Sequence, residues 1–87
     1  MSFQKYKRKE FAELRPITQE DIEQFEKQKS ITAHETKDNR IYVSISQVDL
    51  DNGSPKIGDM VARNPKNYLD QWLIAEKYFI DNFVQSI

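Results

Sequence analysis

Arg63, Asn64, Asn67, Asp70 and Trp72 crowd one stretch of the second half of the chain. A guanidinium offers a planar fork for a carboxylate or phosphate. An indole offers a broad, rigid anchor of the kind that dominates protein interfaces. Together these residues are candidates for holding a partner. A structural role is equally open to them. Asn64 and Asp70 can tie the backbone of a turn, Arg63 can pair with Asp70, and Trp72 can pack in the core. A second candidate contact is acidic, Glu20 and Glu23 in the run that ends at Glu26. A third is basic: Lys5, Lys7, Arg8 and Lys9 can grip a phosphate backbone while Tyr6 or Phe11 stacks on a base. The bland alternative for those four is a solubilising terminus. On a chain of net charge −1 they support only weak, salt-sensitive binding.

Catalytic chemistry has little to work with. His34 and Glu35 are adjacent, so in a strand they point to opposite faces and make no dyad. Asp59 and Asp70 are the carboxylates an enzyme would use, but such chemistry needs two convergent groups in a concave site. Asp49, Asp51 and Gly53 have the spacing of a calcium loop. The fifth-position ligand is missing there, and the twelfth position falls on Met60 instead of an acid. With no cysteine and one histidine, thiolate zinc, disulfide and multi-histidine sites are excluded. Gly53 and Gly58 are too few for a phosphate-cradling loop. The expectation is a chain with no catalytic residues, no cofactor and no metal.

The elements that position these residues can be read from pattern. Thr18 is an N-cap, with Asp21 where an acid complements the helix dipole and Ile17 and Ile22 as a hydrophobic staple. Acids lead and lysines trail, which predicts a surface helix over 19–29 with Ile22 and Phe25 inward. Period-2 alternation over 31–34 and 41–46, around a turn at 37–40, predicts an antiparallel hairpin. Residues 47–58 read as a connecting loop. Strands are predicted over 59–63 and 72–74 around the Asn64-Pro65-Lys66-Asn67 turn. Ala75, Phe79 and Phe83, flanked by Tyr78, predict a terminal helix over 75–84 that packs on the core or seals a homodimer. Residues 6–15 read as a short strand and 1–5 as a frayed end. The sum is an α+β fold, a small, mainly antiparallel sheet of three to four strands with two helices.

Length and composition agree with one domain, 87 residues with 31% charged and 38% hydrophobic positions. Five Phe, four Tyr and one Trp suggest that a few large side chains build most of the core. Charge is unevenly spread, +3 over 1–15 and −3 over 16–38, a dipolar surface that suits oriented association. No apolar run reaches the roughly 18 residues of a membrane span. Residues 1–10 are polar and basic without the apolar segment of a signal peptide. The lack of cysteine favours a reducing, cytoplasmic setting.

Longer strings carry a resemblance. Gly53-Ser54-Pro55-Lys56, the run from Gly58-Asp59-Met60 through Arg63-Asn64-Pro65, Asp70-Gln71-Trp72-Leu73 and Tyr78-Phe79-Ile80-Asp81-Asn82-Phe83 resemble a family of small proteins of tailed bacteriophages and prophages. That family carries G-D-M-(I/V)-A-R-N-P, then D-Q-W-L, then Y-F-x-x-N-F. Tyr6-Lys7-Arg8-Lys9 and Ala12-Glu13-Leu14-Arg15-Pro16 resemble its start. The resemblance covers about half of the chain, and residues about 17–42 look like an insertion. It implies a phage accessory protein in the cytoplasm of an infected bacterium. The expected function is non-enzymatic: capture or inhibition of a host defence or regulatory protein through Arg63, Asn64, Asn67, Asp70 and Trp72, with Glu20 and Glu23 as a second contact. The alternative is nucleic-acid or nucleotide binding by the basic arm.

Overall fold

The computed structural model describes residues 12–34 and 40–83. Tyr6, Phe11, Lys5, Lys7, Arg8 and Lys9, the Glu35 neighbour of His34, most of the 37–40 turn, Val84 and the Phe83 side chain lie outside the described residues. In chain order the elements are β1 (Glu13–Pro16), α1 (Gln19–Gln28), α2 (Gln47–Asp51), β2 (Met60–Asn64), β3 (Asn67–Ile74) and α3 (Glu76–Phe83). The strands form an antiparallel sheet in the order β1-β2-β3. The class is the expected small α+β fold, with α2 as a helix beyond the expected two.

α1 forms where its local signals place it. The Thr18 hydroxyl accepts from the Asp21 amide at 3.1 Å, and the Asp21 carboxylate accepts from the Thr18 amide at 2.9 Å. Two orphan donors of the first turn are thereby satisfied reciprocally. The helix stops at Lys29, a non-glycine residue in the left-handed region at φ 61°. Ile22 and Phe25 face the core as expected. α2 forms inside the 47–58 stretch whose pattern suggests a connecting loop. Ser46 caps it, accepting from the Asp49 amide at 3.1 Å. Its acids and turn formers masked that signal.

The expected hairpin over 31–46 is only partly a ladder. Its arms meet at one bridge, Thr32 with Tyr42, where the Ala33 amide donates to Ile41 and the Val43 amide to Ile31. The second arm then runs beside β3 in parallel, the Ser44 amide donating to Gln71 and the Leu73 amide to Ser44. The sheet is thus prolonged past β3 by two short bridged segments. Gln24 bonds both the amide and the hydroxyl of Thr32, fastening α1 to that margin.

Among the described residues the buried core is aliphatic, and the aromatic contribution to it that the composition suggests is there confined to Phe25 at its edge. Ile17, Ile31, Val43, Val61 and Leu73 form the buried cluster, with Ile22, Phe25 and Ile45 packed against it. Tyr42, Tyr68 and Tyr78 are exposed, and Trp72 is half-buried. β-branched and leucine side chains fill the thin space between one helix and a narrow sheet. The five cluster residues, at roughly 1.5–3 kcal/mol each, are a small hydrophobic reserve.

Gly58 precedes β2 at φ 107°, a conformation that L side chains rarely adopt. The Glu76 carboxylate packs over it, so a Cβ there would stand 2.7 Å from Glu76 Cδ.

Candidate functional site

Two buried carboxylates hold the scaffold on which the exposed candidates ride. Asp59 is fully buried at the opening of β2. It accepts from the Lys56 amide at 2.9 Å, the Lys56 ammonium at 3.1 Å and the Glu76 amide at 2.9 Å. The last bond caps α3 from a distant strand. Burial pushes its carboxyl up. Ser54, the two amides and the ammonium outweigh that and hold it below the ordinary 3.8. The buried Ser54 hydroxyl lies against this carboxylate without reaching full hydrogen-bond geometry. Asp21 is 3% exposed and is gripped at both oxygens by Arg15, at 2.7 and 3.3 Å. Burial raises its carboxyl too. The Arg15 bond, the Thr18 amide, the Arg15 charge and the Thr18 hydroxyl together leave it below 3.8. A carboxyl held ionised in this way is unsuited to act as a general acid near neutral pH.

The β2–β3 hairpin carries most of the predicted partner-binding residues. Asn64 pairs with Asn67 across the turn, yet the next pair is Arg63 with Gln71. Tyr68, Leu69 and Asp70 therefore have no counterpart on β2 and form a bulge. Tyr68 is 40% and Leu69 53% exposed. Asn64 ties the turn, accepting from the Lys66 amide at 2.9 Å. Asn67, not Asp70, makes the second tie, accepting from the Leu69 amide at 3.1 Å. Arg63 bonds Glu13 at 2.6 Å and lies 3.6 Å over the Tyr68 ring. The expected Arg63–Asp70 pair does not form, because the bulge carries the exposed Asp70 side chain away. Gln71 anchors the bulge from beneath, donating to the carbonyls of Tyr68 at 3.1 Å and His34 at 2.8 Å.

Trp72 is separated from this group. It pairs with Ala62 while Arg63 pairs with Gln71, so strand alternation sends the two side chains to opposite faces. Trp72 lines a groove with Ala12, Asp49, Ala75 and Tyr78. Glu20 and Glu23 line a shallow cleft on α1 that also touches Asp21, Gln24, Lys27 and His34. His34 borders both that cleft and a separate hollow of about 230 Å³ lined by Glu13, Arg15, Val61, Arg63 and Gln71. Its Nε2 lies 3.5 Å from Asp21, and its ring is half exposed, in keeping with a solvent-facing histidine. The structure thus brings Arg63, Asn64 and Asn67 together at the turn, leaves Asp70 exposed on the adjoining bulge, sets Glu20 and Glu23 across His34, and leaves Trp72 behind the sheet.

Sequence reasoning missed Tyr68 and Leu69, the most exposed apolar pair on the hairpin. An apolar pair between Asn67 and Asp70, directly after a tight turn, is the signal that was present. Asp59 and Asp70 stand at opposite ends of β2 and share no site. Among the described residues no group of three or more His, Asp or Glu could hold a metal ion. No helix among them is long and apolar enough to cross a membrane. Comparison with protein-family models, with characterised proteins and with solved structures finds no match.

Proposed function

We propose that this chain is a non-enzymatic binding protein that captures a host protein in the cytoplasm of a phage-infected bacterium. The observation that carries the reading is the bulge on β3. Tyr68 and Leu69 project from a hairpin whose turn and bulge are fixed by side-chain bonds to backbone. Binding through such a surface loses little conformational entropy. Arg63 stacks on Tyr68, and Asp70, Asn64 and Asn67 rim the pair, an apolar centre with a polar border. Glu20 and Glu23 offer a second, acidic contact across His34. The motif resemblance to phage accessory proteins supports the choice of a host partner. The two buried carboxylates, both committed to backbone and cationic donors, support a role without catalysis.

The experiment is capture from bacterial lysate on immobilised protein, followed by rebuilding the complex from purified components. Wild type is expected to bind the purified partner at least tenfold more tightly than the Tyr68→Ser/Leu69→Ser variant, as for interface anchors. The variant should stay folded and lose no more than the Arg63–Tyr68 stacking, about 0.5–1 kcal/mol, because both side chains are exposed. Equal affinity of the two proteins would end the reading. Salt-sensitive binding of short DNA or RNA, abolished by neutralising Lys5, Lys7, Arg8 and Lys9, would replace it with the basic-arm alternative.

A further inference from the structure

The hollow between β1, β2 and β3 carries unused hydrogen-bonding capacity that folding does not require. Arg15 lines it. Its Nη1 and Nη2 hold Asp21, and Nη1 also reaches the Pro16 carbonyl. The Nε–Nη2 side of the same guanidinium has no protein partner among the described residues. That edge is a two-pronged fork matched to a carboxylate. Asp21 holds it in place, so the fork is preorganised. Gln71 also lines the hollow and is only 4% exposed. Both hydrogens of its Nε2 are committed to backbone carbonyls, which identifies that atom as the nitrogen. Its Oε1 has no protein donor among the described residues, on a side chain that is nearly buried.

Other features of the hollow choose the ligand. Arg63, on the same rim, already binds a carboxylate, that of Glu13, at 2.6 Å. The Glu13 side chain is half exposed and can be displaced. Among the described residues Asp21 and Glu13 already face the positive charges of Arg15 and Arg63, so a monoanion suits the site better than a dianion. A volume of about 230 Å³ lies below the range of drug-sized sites, roughly 300–1,000 Å³. The ligand is therefore small, with one carboxylate for the Arg15 fork and one N–H for Gln71 Oε1.

We propose that this hollow binds a carboxylate whose neighbouring carbon bears an N–H donor, the chemistry shared by an N-acylated amino acid and the terminal residue of a peptide. The hollow borders the bulge through Arg63 and Gln71, but the groups it offers a ligand, the Arg15 fork and Gln71 Oε1, are not the Tyr68 and Leu69 side chains that the bulge presents.

The test is an NMR titration of the full chain with N-acetylglycine, reading the Arg15 Nε–H and the Gln71 side-chain amide. Both signals are expected to move saturably. N-acetylsarcosine, with the same carboxylate and no N–H, should bind at least fivefold more weakly. Glu13→Gln, which removes a negative charge from the rim, should tighten binding severalfold, and Arg63→Gln, which removes a positive one, should weaken it. A peptide ending in glycine that binds more tightly than N-acetylglycine would identify a chain terminus as the source. A peptide that binds no better would identify a free small molecule. No saturable shift in either wild type or Glu13→Gln would overturn the proposal. So would equal affinity for the two N-acetyl compounds, or tighter binding of inorganic phosphate.

Discussion

Asp59 shows how one side chain sets the positions of others. Its carboxylate fixes the Lys56 turn and the first amide of α3, and its carbonyl accepts from Ile17 at the end of β1. Asp59→Ala would strand two amides and an ammonium around a void. Each hydrogen bond to a charged group is worth about 1.5–3 kcal/mol, and part is recovered by water. The expected loss is about 3 kcal/mol, read from urea unfolding. That is a large share of the roughly 5–10 kcal/mol available to a domain of this size. An unchanged midpoint would mean that the bonds contribute nothing net. In sequence, an aspartate after a glycine reads as turn chemistry. Its bond to Glu76 joins residues far apart in the chain, which no local pattern records. The Arg63–Glu13 pair escaped for the same reason. A sequence reading pairs Arg63 with Asp70 across the turn and has no access to the bulge that separates them.

Elements with local causes were legible, and elements defined by pairing were not. α1 announces itself through Thr18, Asp21 and the Ile17–Ile22 staple, all within its own first turns. Thr18→Ala should cost about 1 kcal/mol, and Lys29→Gly should gain about 1 kcal/mol by relieving a left-handed non-glycine residue. Opposite shifts in melting temperature test both, and a destabilised Lys29→Gly would contradict the cap geometry. β3 was legible only as 72–74, because Asn67 and Asp70 break the alternation that marks a strand. Those residues are polar because the bulge is exposed. The 31–46 arms kept their alternation, but alternation does not say that the second arm turns its other edge to β3. The partner surface was accordingly half visible: the turn residues were found, and the apolar pair between them was not.

For the molecule as a whole, the two carboxylates predict the response to acid. Both titrate below 3.8 when folded. In the unfolded chain they take up protons first, at about their ordinary values. Their contribution is therefore complete above 3.8 and is lost as pH falls through the lower native values. Melting temperature should hold level from pH 7 to about 5 and then fall, and fall less steeply in Asp21→Asn. A curve that stays level to pH 2 would show that neither carboxylate is linked to folding. The order of the sheet carries a different consequence. Glu13 pairs with Arg63 and Pro16 with Met60, so among the described residues the strand partner of β1 lies in the other half of the chain. While the protein is being made, β1 leaves the ribosome long before β2 exists. Any chaperone that binds extended segments meets β1 before its partner strand, and the emergence of β2 is the moment at which the sheet can begin to close.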